Sequence, residues 1–274
     1  MTGAGLRAVL VMATIAAPSV LLGVASADTR QMLALAAVFA GGVTYVEYRG
    51  ITPGLVEFRD AKPLNRIRFA MLFATVVLLS LIEAGRTAPT PLTELLRAIG
   101  ALIGAAMDFP GSPVRLATEL MAQADPRQGA QPVRTAAGMA LLVALVSLAV
   151  FVLVLRPGVW PRRNGAFNVW VNLPTFDPSA GGDVVDRLRR DARVNIALGF
   201  LLPFWVPLVI NLAAPGFQLL SVDSPQTLIW TVTAWSFLPA SLFMRGVGLG
   251  RVAAMIAEKR RLSAQKAEAG FAAA

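Results

Sequence analysis

The 274-residue chain contains no cysteine and no histidine. The first absence excludes disulfides, thiolate nucleophiles and cysteine-ligated metals. The second excludes imidazole ligation of haem, chlorophyll or zinc, and imidazole acid–base catalysis. Charge is also scarce. Only 15% of residues are Asp, Glu, Lys or Arg, where soluble domains carry about 25%. Within that small set acidic residues are outnumbered, 16 to 25, which leaves a net charge of +9.

What the chain has instead is apolar side chains. Hydrophobic residues make up 56%, and the mean hydropathy is +0.63. This balance points to an integral membrane protein. A basic chain can also signal a nucleic-acid binder. Here, however, the arginines sit beside apolar runs and not along one soluble face. No nucleic-acid partner is expected. Anionic lipid headgroups are, because basic residues next to a membrane span are attracted to them.

Six apolar runs are candidate spans: 8–24, 32–45, 67–84, 136–155, 194–214 and 228–244. A bilayer core of about 30 Å needs about 20 helical residues. The run over 32–45 is the weakest, being short and interrupted by Gly41-Gly42. The expected fold is therefore an all-α integral membrane protein of about six transmembrane helices. It forms a single polytopic domain over 1–266, followed by a flexible tail over 267–274. At the N-terminus, Arg7, the apolar run after it and Ala25-Ser26-Ala27 also fit a cleavable signal peptide. The reading adopted keeps this segment as the first span.

Sidedness follows from the arginines. The stretch from Arg156 to Arg193 lies between two spans and holds Arg156, Arg162, Arg163, Arg187, Arg189, Arg190 and Arg193. Loops this basic stay cytoplasmic. With both termini on that side, it collects 19 of the 25 basic residues. The other side keeps only Arg30, Arg86, Arg97, Arg115, Arg127 and Arg134. The expected location is a bacterial-type inner membrane.

The external loop over 85–134 reads as amphipathic helices. Thr90-Pro91 supplies an N-cap and first helical position. Leu92, Leu95, Leu96, Ile99, Leu102, Ile103 and Ala106 then recur at helical spacing. Ser112-Pro113 opens a second helix, with Leu116, Ala117, Leu120 and Met121 along one side. Both are expected on the outer membrane face or on the bundle.

The basic cytoplasmic loop carries the candidate contact residues for a partner or for lipid headgroups: Trp160, Arg162, Arg163, Trp170, Arg187, Arg189 and Arg190. Tryptophan beside basic residues anchors a span end at the interface. After Asn164-Gly165 the alternation from Phe167 to Leu173 predicts a short strand or hairpin. Asp183 and Asp186 are placed to cap a following helix.

Several motifs have ordinary readings. Gly246-Val-Gly-Leu-Gly250 follows an apolar helix and not a strand, so it reads as close helix packing and not as a phosphate loop. Gly100 and Gly104 read the same way. Pro203, Pro207 and Pro239 interrupt the last two spans and free backbone carbonyls, as transporters do at binding sites. The span centres hold no ionisable residue, so no proton relay crosses the membrane. No catalytic residue, cofactor or metal is expected. The function expected is a non-enzymatic structural, accessory or assembly subunit bound to other membrane protein subunits. The alternative is a small-solute or lipid transporter built on the proline-broken helices.

Overall fold

A computed structural model describes residues 2–23, 27–51, 54–59, 62–124, 129–155, 172–177, 179, 181–213 and 224–272. Eight helices are described: α1 (Thr2–Leu22), α2 (Ala27–Arg49), α3 (Lys62–Ala84), α4 (Pro91–Ala106), α5 (Pro113–Ala124), α6 (Ala130–Val154), α7 (Val184–Ala213) and α8 (Pro225–Ala272). No strand occurs among the described residues. The hairpin expected after Asn164-Gly165 lies almost wholly outside them.

Local signals set several boundaries. Thr90 caps α4: its hydroxyl accepts from the Thr93 backbone N–H at 3.2 Å, and Thr93 Oγ1 accepts from the Thr90 N–H at 2.8 Å. Ser112 Oγ accepts from the Arg115 N–H at 3.0 Å and starts α5. Asp183 Oδ1 accepts from Val185 and Asp186 at 2.7 and 3.2 Å and starts α7. Each cap satisfies an N–H that a helix start leaves unpaired.

Helices α3, α6 and α8 form the centre. α6 touches α3, α4, α5 and α8, while α8 touches α7, α6, α3 and α1. The buried side chains fall into two clusters at opposite ends of this centre. One gathers Phe58, Met71, Phe151, Leu173, Leu188 and Met244. The other gathers Val76, Ile82, Val114, Met139, Ile229 and Trp235. Two interior hydroxyls of α3 are satisfied within that helix: Thr75 donates to the Met71 carbonyl at 2.8 Å and Ser80 to that of Val76 at 2.6 Å.

Glycine lets the helices meet backbone to backbone. A Cβ at Gly138 would lie 2.4 Å from the Gly104 nitrogen and 2.7 Å from the Gly100 carbonyl oxygen, so α4 and α6 touch through small residues. A Cβ at Gly246 would lie 2.7 Å from the Ala192 carbonyl oxygen, and one at Gly199 equally close to the Phe243 nitrogen. These contacts bring α7 onto α8. Both glycine motifs are thus helix-packing devices.

In α4 the packed face is the small-residue one. Thr93, Gly100 and Gly104 are buried, while Leu92, Leu95 and Leu102 are exposed. The helix lies on the bundle with those leucines pointing away from it, which suits lipid and not water. At the C-terminus α8 runs as helix to Ala272; alanine is the strongest helix former.

Among the described residues five helices are long and apolar enough to cross a membrane, in α1, α3, α6, α7 and α8. These fit an all-α, multi-pass membrane protein. The sixth expected span, over 32–45, lies in α2. That helix has 23 residues but is diluted by Asp28, Arg30, Glu47 and Arg49, and does not reach the apolarity of the others.

Candidate functional site

One end of the bundle gathers arginines. The end of α2, the segment over 54–59, the starts of α1 and α3 and the middle of α8 converge there. Glu47 organises the turn. Its carboxylate accepts from the backbone N–H groups of Gly54, Leu55 and Val56 at 3.1, 2.8 and 3.0 Å. Arg59 closes the same turn from the other side, donating to the carbonyls of Glu47 at 3.3 Å and Gly50 at 2.5 Å.

The turn presents Glu57 to α8. Arg245 donates Nε to Glu57 Oε2 at 2.5 Å and a second guanidinium nitrogen to Oε1 at 2.8 Å. Thr175 Oγ1 donates to Oε1 at 2.7 Å. Burial would raise the Glu57 carboxyl, but the hydrogen bonds from Arg245 and Thr175, with the charges of Arg245 and Arg68, outweigh it and hold the group below the ordinary carboxylate range. The side chains of Arg245 and Glu57 are 25% and 11% exposed, so the pair is largely withdrawn from water.

Phe58 fixes the geometry. It is fully buried and adopts φ = 52°, a left-handed conformation that bulky residues avoid. Its N–H donates to the Asn172 carbonyl at 2.6 Å, and Asn65 Nδ2 donates to the carbonyls of Glu57 and Phe58. Its ring packs beside Gly248, where an added Cβ would sit 3.2 Å from it. Such strain persists only where packing and hydrogen bonds overdetermine the backbone.

The same end holds further cross-links. Arg251 donates to the carbonyl of Leu155, which caps α6. Arg260 pairs with Asp183 at 2.5 Å and ties α8 to the start of α7. The hydrogen bond from Arg260, joined by the backbone donors of α7, lowers the Asp183 carboxyl below its ordinary range. At the far end of the bundle the polar contacts are different. There Ser19 accepts from Gln226 at 3.0 Å, Glu83 pairs with Arg86 at 2.9 Å, and Asp108 pairs with Arg134 at 3.2 Å.

Of the residues singled out in the sequence, Trp160, Arg162, Arg163 and Trp170 lie outside the described residues. Arg187, Arg189 and Arg190 lie in the first two turns of α7. Arg187 stacks over the Phe176 ring at 4.7 Å. Arg189 and Arg190 are 54% and 69% exposed, with Asp186 and Asp191 at 3.6 and 3.7 Å. Pairs this open contribute at most about 1 kcal/mol. Glu57 and Arg245 were not singled out, since nothing in their local sequence joins positions 188 residues apart. A Glu in a Pro/Gly-rich loop before a span was the only available sign.

The expectation that proline breaks α7 to make a site meets a specific contact. Pro207 lacks the N–H that would bond the carbonyl of Pro203. Trp235 Nε1 of α8 donates to that carbonyl at 3.0 Å instead. The freed group is used in helix packing.

Taken together, these hydrogen bonds and ion pairs tie α2, the turn over 54–59, α7 and α8 to one another at the arginine-rich end. No group of three or more carboxylates able to hold a metal ion occurs among the described residues. Comparison with family models, with curated proteins and with solved structures returned no match.

Proposed function

We propose that this chain is a non-enzymatic multi-pass membrane protein of a bacterial-type inner membrane, serving as a structural, accessory or assembly subunit of a larger membrane complex. The observation that carries the reading is α8. Its 48 residues would extend about 72 Å at 1.5 Å per residue. A bilayer core takes about 30 Å of that. The stretch 258–269 is exposed throughout, and it carries Lys259, Arg260, Arg261 and Lys266 against Glu258 and Glu268. A charged helical arm, tied to the bundle at Arg260 and exposed beyond it, suits attachment to another subunit.

Six crossings with the basic end cytoplasmic is the topology that goes with this reading. Arg7 sits over the Tyr48 ring at 4.4 Å, and a Cβ at Gly41 would lie 2.6 Å from Met12 Cγ. Helices α1 and α2 therefore run antiparallel along most of their length. If α1 crosses, α2 crosses beside it, with Met32, Leu35, Val38 and Phe39 facing lipid. Arg7, Arg49, Arg66, Arg68 and the arginines of α8 then share one face, as a positive-inside protein requires.

The transporter reading depended on open backbone at the prolines, and the Trp235 contact removes one support for it. The experiment is native electrophoresis of the tagged full chain from mild detergent, beside a version lacking residues 258–274. The expected result is a stoichiometric complex for the full chain that the truncation loses. A lone chain of 29.0 kDa in its micelle for both would overturn the reading.

A further inference from the structure

A cavity of about 490 Å³ opens at the basic end between α1, α2 and α3. Three arginines from three different elements line it: Arg7 of α1, Arg59 of the turn and Arg66 of α3. Tyr48 lines it beneath Arg7, and Leu10 and Phe69 line its apolar part. No carboxylate lines it among the described residues. Arg66 is exposed and pairs with no carboxylate among the described residues.

Arg7 and Arg59 are held in place, Arg59 within reach of the Glu47 charge, while Arg7 and Arg66 have no carboxylate partner among the described residues. Arg7 donates to the Gly3 carbonyl at 2.7 Å and rests on Tyr48, and Arg59 donates to two backbone carbonyls. A guanidinium has five N–H donors, so both keep donors to offer. Three guanidinium groups lining one cavity, two of them held by hydrogen bonds, suit recognition of a phosphate. The apolar wall beside them would suit an acyl chain. A free anion would leave that wall unfilled, and a neutral amphiphile would leave the cations unmatched.

We infer that this cavity binds one phosphate-bearing amphiphile, with its phosphate among Arg7, Arg59 and Arg66 and its acyl chain along Leu10 and Phe69. The inference rests on the membrane reading but not on the accessory role. It names a place for an anionic headgroup apart from Arg187, Arg189 and Arg190 of α7.

The test uses the full chain in detergent, with native mass spectrometry after titration by phosphatidylglycerol, phosphatidylcholine or inorganic phosphate. One tightly held phosphatidylglycerol per chain is expected, retained about tenfold better than phosphatidylcholine and not displaced by equimolar inorganic phosphate. Arg7→Gln with Arg66→Gln should weaken it at least tenfold, as losing charge-assisted hydrogen bonds requires, while Arg261→Gln on the exposed arm should not. If the double variant does not fold, Arg66→Gln alone at its exposed position carries the same expectation. Equal retention of both lipids would overturn the inference, as would displacement by inorganic phosphate or an equal effect of Arg261→Gln. Recovery of the chain in a detergent-free soluble fraction is a separate outcome, and it would sink the membrane reading itself.

Discussion

Trp235 of α8 donates its indole N–H to the carbonyl of Pro203 in α7 at 3.0 Å. The proline at 207 creates the need for that bond, and a residue 32 positions along the chain from Pro203 meets it. A defect in one membrane helix thereby becomes a link between two.

Trp235→Phe should therefore leave a part-buried carbonyl unpaired and lower stability by about 1–3 kcal/mol. Pro207→Ala restores an N–H one turn after Pro203. In that background the cost of Trp235→Phe should shrink. A thermal-unfolding double-mutant cycle in detergent measures this. Equal costs in both backgrounds would show that the indole bond is incidental.

The Glu57–Arg245 pair makes a pH-dependent contribution. The folded carboxyl lies below its ordinary value, so its stabilisation is present in full above the unfolded pKa of about 4.3. It is lost as pH falls through the lower folded value. Glu57→Gln should cost about 3 kcal/mol near neutrality, since it leaves Arg245 without its charge partner. The variant should also lose less stability than the wild type between neutral and acid pH. Unfolding midpoints across that range check both statements.

The glycines separate into two kinds. At Gly138 a Cβ would meet backbone of α4 at 2.4 Å, which cannot move aside, so Gly138→Ala should cost about 1–3 kcal/mol. At Gly42 nothing lies within 4 Å, so Gly42→Ala should be neutral or stabilise by up to about 1 kcal/mol. Parallel melting curves distinguish the two.

Much of this architecture is legible in the residues. Apolar runs mark the five described helices long and apolar enough to cross a membrane, Thr90-Pro91 and Asp183 mark helix starts, and spaced glycines mark helix contacts. These are local signals, written within a few turns of chain. What sequence reading misses is long-range or depends on orientation. The apolar spacing of α4 does not say that its glycine face packs and its leucines face outward. Nothing near Phe58 announces a positive φ, because tertiary packing imposes it. The cavity between Arg7, Arg59 and Arg66 is equally invisible, since three elements must assemble before the arginines become neighbours.

The central claim is a membrane bundle whose arginine-rich end faces the cytoplasm. A chain with no cysteine suits single-cysteine labelling. Arg189→Cys reports the basic end and Arg97→Cys the opposite one, each treated with a membrane-impermeant maleimide in sealed vesicles of known orientation. Arg189→Cys is expected to label only in inverted vesicles, and Arg97→Cys only in right-side-out ones. Labelling of both positions from the same side would contradict the account.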